Sequence, residues 1–155
     1  MKKIRQILVP VDFTEFSNRA VDAAALIAGR FKATVTLVHV IEEFTYDLTD
    51  TALIIDHYAA LEAIARRLLQ GLHDKLRRRG LTVRTAIVRG HPAVAILEQA
   101  GERRSDLIVM GTHGRTGLER VVLGSVAARV VRLASCPVLT VGGGGRKHRK
   151  PLPLI

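Results

Sequence analysis

The chain has 155 residues, 48% of them hydrophobic and 25% charged, which suits one water-soluble domain with a full core. No apolar stretch approaches the roughly 20 residues that a membrane helix needs, and a lone cysteine, Cys136, excludes an internal disulfide. The net charge of +10 suggests a polyanion partner, but Arg146, Lys147, Arg149 and Lys150 of the last ten residues carry four of those charges, and aromatics are only 4% with no Trp. A solvated basic surface is therefore the expected reading, with nucleic acid binding as the less favoured one.

In chain order, the first ten residues have too short an apolar run for a signal peptide and lack a small-residue cleavage site, so a cytoplasmic location is expected. Residues 7–11 (Ile-Leu-Val-Pro-Val) predict a buried strand. Residues 14–30 predict a helix with an apolar stripe through Ala20, Val21, Ala24, Ala25, Ile27 and Ala28, capped by Thr14 or Ser17. Residues 34–41 are β-branched and apolar, a second strand; His39 within it reads as a hydrogen-bonded core or interface histidine. A polar connection runs through Asp50, and a long helical pattern over 53–79 ends in the Arg77-Arg78-Arg79 cluster before Gly80, where cations suit the helix dipole. Residues 83–88 predict a third strand, Gly90-His91-Pro92 a turn, and 93–103 a helix. A fourth strand over 107–110, a helix over 124–133 and a fifth strand over 138–141 follow, with Cys136 as a small buried apolar residue between the last two.

Strands alternating with helices predict a parallel sheet covered on both faces, with right-handed crossovers. The expected fold is a doubly wound, Rossmann-like α/β domain of five strands and four helices over residues 1–142, followed by a basic, Pro/Leu-containing tail over 143–155.

Ligands of such sheets bind beyond the carboxyl ends of the strands, where the strand order reverses. Asp12 directly follows the first strand and Gly111 the fourth, so the two can face one crevice. Asp12 can serve a ribose hydroxyl, an adenine amine through water or a metal, or it can cap the next helix. The glycines 111, 114 and 124 lead into Ser125 and a helix start, an arrangement whose backbone N–H groups suit a phosphate. It is neither a P-loop, which needs a Lys where Ser125 stands, nor a dinucleotide fingerprint, whose glycines follow the first strand.

The spacing Gly111, two residues, Gly114, nine residues, Gly124-Ser125, together with Pro10-Val11-Asp12 and the run to Val141, resembles the universal stress proteins, in the branch that binds ATP. The resemblance implies the strand order 3-2-1-4-5. It implies that Asp12 contacts the nucleoside with Pro10 and Val11 beside it. Val40 would offer backbone groups to adenine, Met110 and Gly111 would line the wall, and Gly114, Gly124, Ser125 and Val126 would hold the phosphates. Ala127 stands where a hydroxyl often adds a contact, so a weaker grip on the outer phosphate is expected. His113, Arg115 and Arg120 lie in or just after the loop, where a cation can reach a terminal phosphate; Arg120 reads more plainly as a solvent-facing loop residue, and Arg115 reads equally well either way.

The expected ligand is ATP, AMP or ADP, with Mg2+ accompanying the nucleotide, and the expected role is regulatory. No set of base, nucleophile and metal ligands is visible, so hydrolysis is expected to be slow or absent. An ATPase or phosphotransferase, and a nucleic acid binder acting through the tail, remain the alternatives. The resemblance also implies a homodimer pairing the fifth strands, Val138 to Val141, which covers an apolar edge.

Overall fold

The computed structural model describes residues 3–43, 51–113 and 123–143. The elements are β1 (Gln6–Pro10), α1 (Glu15–Phe31), β2 (Thr34–Glu42), α2 (Thr51–Arg78), β3 (Thr82–Gly90), α3 (Pro92–Glu102), β4 (Leu107–Gly111), α4 (Ser125–Leu133) and β5 (Val138–Val141). The sheet order is β3-β2-β1-β4-β5 and every neighbouring pair is parallel. This is the doubly wound α/β architecture that the alternation of strand and helix predicts.

Alternation along β1 divides the core. Ile7 and Val9 face a cluster that includes Val21, Leu37 and Leu76, under α1 and α2. Leu8 faces the opposite cluster, with Val38, Ile96, Ile108 and Val130, under α3 and α4. Each such side chain stabilises the fold by about 1.5–3 kcal/mol through burial. Because both faces are covered, the inner strands are largely apolar, with Thr36 and His39 buried within β2. β3 pairs with β2 over all nine of its residues, so it runs further than residues 83–88. It is an edge strand, and Arg84 and Arg89 occupy exposed positions on it, which breaks the apolar pattern.

Small residues set the spacing of α1. Ala20, Ala24 and Ala28 are fully buried on one face, letting the helix lie close to the sheet. Gly111 at the end of β4 completes that approach: a Cβ there would sit 2.9 Å from the Phe16 Cβ and 3.0 Å from the Phe16 carbonyl carbon. α2 ends at Gly80, whose φ of +78° favours glycine, and Leu81 N–H donates to the Leu76 carbonyl at 3.3 Å. Among the described residues no helix is long and apolar enough to cross a membrane.

Candidate functional site

The order reverses between β1 and β4: from β1 the chain crosses outward to β2, whereas β4 lies on the other side of β1. The residues just past these two carboxyl ends therefore border the crevice of the fold.

On the β1 side the chain turns sharply. Val11 N–H donates to the Val38 carbonyl at 2.8 Å, a last rung of the ladder. Asp12 then accepts, through Oδ1, from Thr14 N–H at 3.0 Å and from the Thr14 hydroxyl at 2.5 Å. Its own N–H donates to Ser17 Oγ at 3.3 Å. Thr14 is the N-cap of α1, accepting from Ser17 N–H at 3.4 Å. Thr14 thus caps the helix, and Asp12 braces the cap. Phe13 between them has φ of 65°, a left-handed conformation that costs a non-glycine residue about 1–2 kcal/mol. Its ring rests on His39 with centroids 4.7 Å apart. His39 is 7% exposed, and its Nδ1 lies 2.8 Å from the Val11 carbonyl, which fixes the Nδ1–H tautomer because a carbonyl only accepts. The expected core histidine is therefore also the clamp that holds this turn, and its contacts pin the strained Phe13 in place.

Replacing Thr14 with Ala removes the cap and one partner of Asp12, the Thr14 hydroxyl, while the Thr14 N–H stays. The expected loss is about 1 kcal/mol, read from the urea midpoint, with Thr14→Ser close to wild type. A Thr14→Ala protein as stable as wild type would contradict this description of the turn.

On the β4 side, Thr112 works through its backbone. Its N–H donates to the Val141 carbonyl of β5 at 3.1 Å, and its carbonyl accepts from Gly124 N–H at 2.6 Å. The second bond brings the start of α4 beside the end of β4. Gly124 is the N-cap and makes no side-chain cap bond. The first-turn N–H groups, Ser125 to Ala127, therefore face outward at the positive end of the helix dipole. Ser125 is exposed, Val126 half-buried, and Ala127 buried.

The remaining candidates fall on one face of the sheet. Val40, Met110, Leu123 and Val126 all belong to or pack against the α3/α4 cluster, and half-buried Pro10 has the same strand parity as Leu8. Val11 differs. Its side chain is 3% exposed in the opposite cluster, and its N–H and carbonyl are both occupied, so it shapes the turn from behind. Gly111 packs on Phe16 as described. Gly114, Arg115, Arg120 and the tail beyond Gly143 lie outside the described residues. Sequence reasoning passed over Phe13, Thr112 and Leu123. An aromatic residue gives no hint of positive φ, and a threonine acting through its backbone leaves no side-chain signal; Leu123 looks like any loop leucine.

Among the described residues no three His, Cys, Asp or Glu side chains gather as a metal site. Asp12 borders the crevice, and its Oδ1 accepts from Thr14. These residues fit a cation that arrives on a ligand's phosphates better than one held by the protein alone. Half-buried Cys136 packs against the α3/α4 cluster.

Residues 3–142 match the model of the Universal stress protein family. A universal stress protein of Methanocaldococcus jannaschii is 35% identical over 146 residues, covering 88% of this chain and 81% of its own. The universal stress protein UspA of Lactobacillus plantarum superposes with a TM-score of 0.84 at 27% identity, covering 91% of this chain and 99% of that one. A universal stress protein of Archaeoglobus fulgidus, solved in complex with dAMP, superposes with a TM-score of 0.63 at 26% identity, covering 90% and 99%.

Proposed function

This chain belongs to the universal stress protein family, and on that premise we propose that it binds an adenine nucleotide, ATP first among them, in the crevice between β1 and β4. One observation carries the reading: the N-terminus of α4, where Gly124 makes no side-chain cap bond, is held beside β4 by the Gly124–Thr112 bond at the end of the sheet that Asp12 borders. Free N–H donors and a positive dipole end are what a phosphate needs. The dAMP complex of the Archaeoglobus fulgidus relative supports an adenine nucleotide as the ligand class.

In this reading Gly114, Gly124, Ser125 and Val126 hold the phosphates and Arg115 meets the outermost one. Asp12 contacts the nucleoside, with Pro10 and Val11 shaping the turn beside it. Val40 offers backbone groups to the adenine, and Met110 and Gly111 form the wall. Mg2+ comes with the nucleotide, bound through its phosphates. Ala127 contributes no hydroxyl, which weakens the hold on the outer phosphate. The protein acts as a regulatory domain of the cytoplasm spanning residues 1–142, with 143–155 as an appended tail. ATP biases a conformational or partner-binding equilibrium by binding one state better. Hydrolysis is slow: the sequence around the crevice offers no set of base, nucleophile and metal ligands. Phosphate release above about one per minute would overturn the slow-hydrolysis part, against the ~10 per second of a typical enzyme.

Competition among ATP, ADP, AMP and GTP for a fluorescent ATP analogue tests the ligand class. The three adenine nucleotides displace the probe and GTP does so at least tenfold less well. Equal displacement by GTP would defeat the adenine assignment.

The assembly we propose is a two-fold dimer through β5. This strand is a sheet edge, and its Leu139 is 40% exposed. Covering such an edge prevents open-ended pairing. Light scattering at micromolar concentration should give a dimer mass, and Leu139→Glu should shift it toward the monomer. A monomeric wild type would refute the dimer.

A further inference from the structure

The end of the sheet opposite the crevice carries a second surface. In a parallel doubly wound fold all strands start, and all helices finish, at one edge, so residues far apart in sequence converge there. Arg5 precedes β1, Arg30 and Lys32 close α1, Arg78 closes α2, Arg84 lies near the start of β3, and Arg104 sits in the turn after α3. All six are exposed, and among the described residues none of them is ion-paired.

Among the described residues the carboxylates of that end make their close contacts with other groups; Asp74 is held below its ordinary range first by the His73 hydrogen bond and only more weakly by the charge of Arg78. Asp106 Oδ2 accepts the backbone N–H groups of Arg5 and Gln6 at 3.0 and 3.1 Å. Asp22 pairs with Lys75 and Arg79, and Glu102 accepts from Gln99. Helix dipoles do not account for the cations either. Four helix C-termini supply about −0.5 each, roughly −2 in all, against six full positive charges.

We propose that this amino edge of the sheet is a binding surface for the phosphate backbone of a nucleic acid duplex, read without base specificity. Five of the six cations are arginines, whose forked N–H groups suit phosphate oxygens. They come from five separate stretches of a rigid frame, which fits a duplex with a charge every ~1.7 Å rather than the single amphipathic helix used at lipid surfaces. The edge holds no row of stacking aromatics, so the contact is to the backbone. The surface lies at the far end of the sheet from Asp12 and the start of α4, so it stands or falls independently of the nucleotide reading.

The test is fluorescence anisotropy of a mixed-sequence duplex DNA of about 20 base pairs with the full chain, from about 50 to about 300 mM salt. Binding is expected to weaken steeply with salt. The variant Arg30→Glu, Arg78→Glu, Arg84→Glu changes exposed side chains only; it should lose at least tenfold in affinity at low salt and lower the log–log salt slope by about 3. It should stay cooperatively folded, with an unfolding midpoint only modestly lowered by the two charge reversals at helix C-termini, and its affinity for ATP should match the wild type. Removal of residues 146–155 should cost less than this triple change. The proposal is overturned if the duplex does not bind at low salt, if the triple variant binds as well as wild type, if removing the tail alone abolishes binding, or if vesicles rich in phosphatidylserine capture the chain while the duplex does not.

Discussion

Changing Gly124 to Val and Ser125 to Ala together should weaken ATP binding at least a hundredfold while leaving the fold intact. A hundredfold is about 2.7 kcal/mol, the scale of one or two charge-assisted hydrogen bonds to phosphate. The backbone does not object, since Gly124 has φ of −66°, a value open to any residue. Ser125 is exposed, so its truncation leaves no cavity. What changes is the mouth of α4: a branched side chain stands where phosphate oxygens must approach the first-turn N–H groups, and a hydroxyl donor is lost. Calorimetry and thermal unfolding together read the two halves of this expectation. Near-wild-type affinity in a folded double variant would remove α4 from the site.

The second large effect concerns stability. Gly111→Ala should cost about 1–3 kcal/mol, the usual penalty for forcing a carbon into a packed interior. In a chain of this size that lowers the melting temperature by very roughly 2–12 °C. The obstruction is backbone, with the Phe16 carbonyl carbon and oxygen at 3.0 and 3.1 Å from the new Cβ, so no flexible side-chain tip can swing away. Relief requires α1 to lift off β4, which disturbs the turn from Asp12 to Ser17 as well. Gly142→Ala is the control: its nearest neighbour is Thr112 Oγ1 at 3.7 Å, an ordinary contact, and a change under about 0.5 kcal/mol is expected. A Gly111→Ala protein that melts with the wild type would contradict the close approach of α1 to β4.

These two glycines also mark what the sequence could and could not reveal. The positions of β1, β2 and β4 were legible because strands buried on both faces are largely apolar, β5 from its short β-branched run, and the strand order from the family resemblance. The start of α4 was legible because a Gly-Ser pair precedes an amphipathic run. The extent of β3 was not, because an edge strand admits arginines that resemble loop residues. Asp12 read equally well as a cap or as a ligand. In the structure Thr14 takes the cap and Asp12 Oδ1 supports it, a division that depends on the unusual φ of Phe13. Nothing in an aromatic side chain announces that conformation. The basic edge was hidden for a different reason: its arginines are scattered along the chain and become neighbours only when the parallel sheet gathers the strand starts.

The most direct measurement for the nucleotide site is a calorimetric titration of the full wild-type chain with ATP in the presence of Mg2+. A saturable exothermic isotherm with one nucleotide per chain and a dissociation constant in the micromolar range or tighter is the predicted result, about −8 kcal/mol or better. The absence of any binding heat with about millimolar ATP, repeated at a second temperature to exclude a zero enthalpy by coincidence, would contradict it.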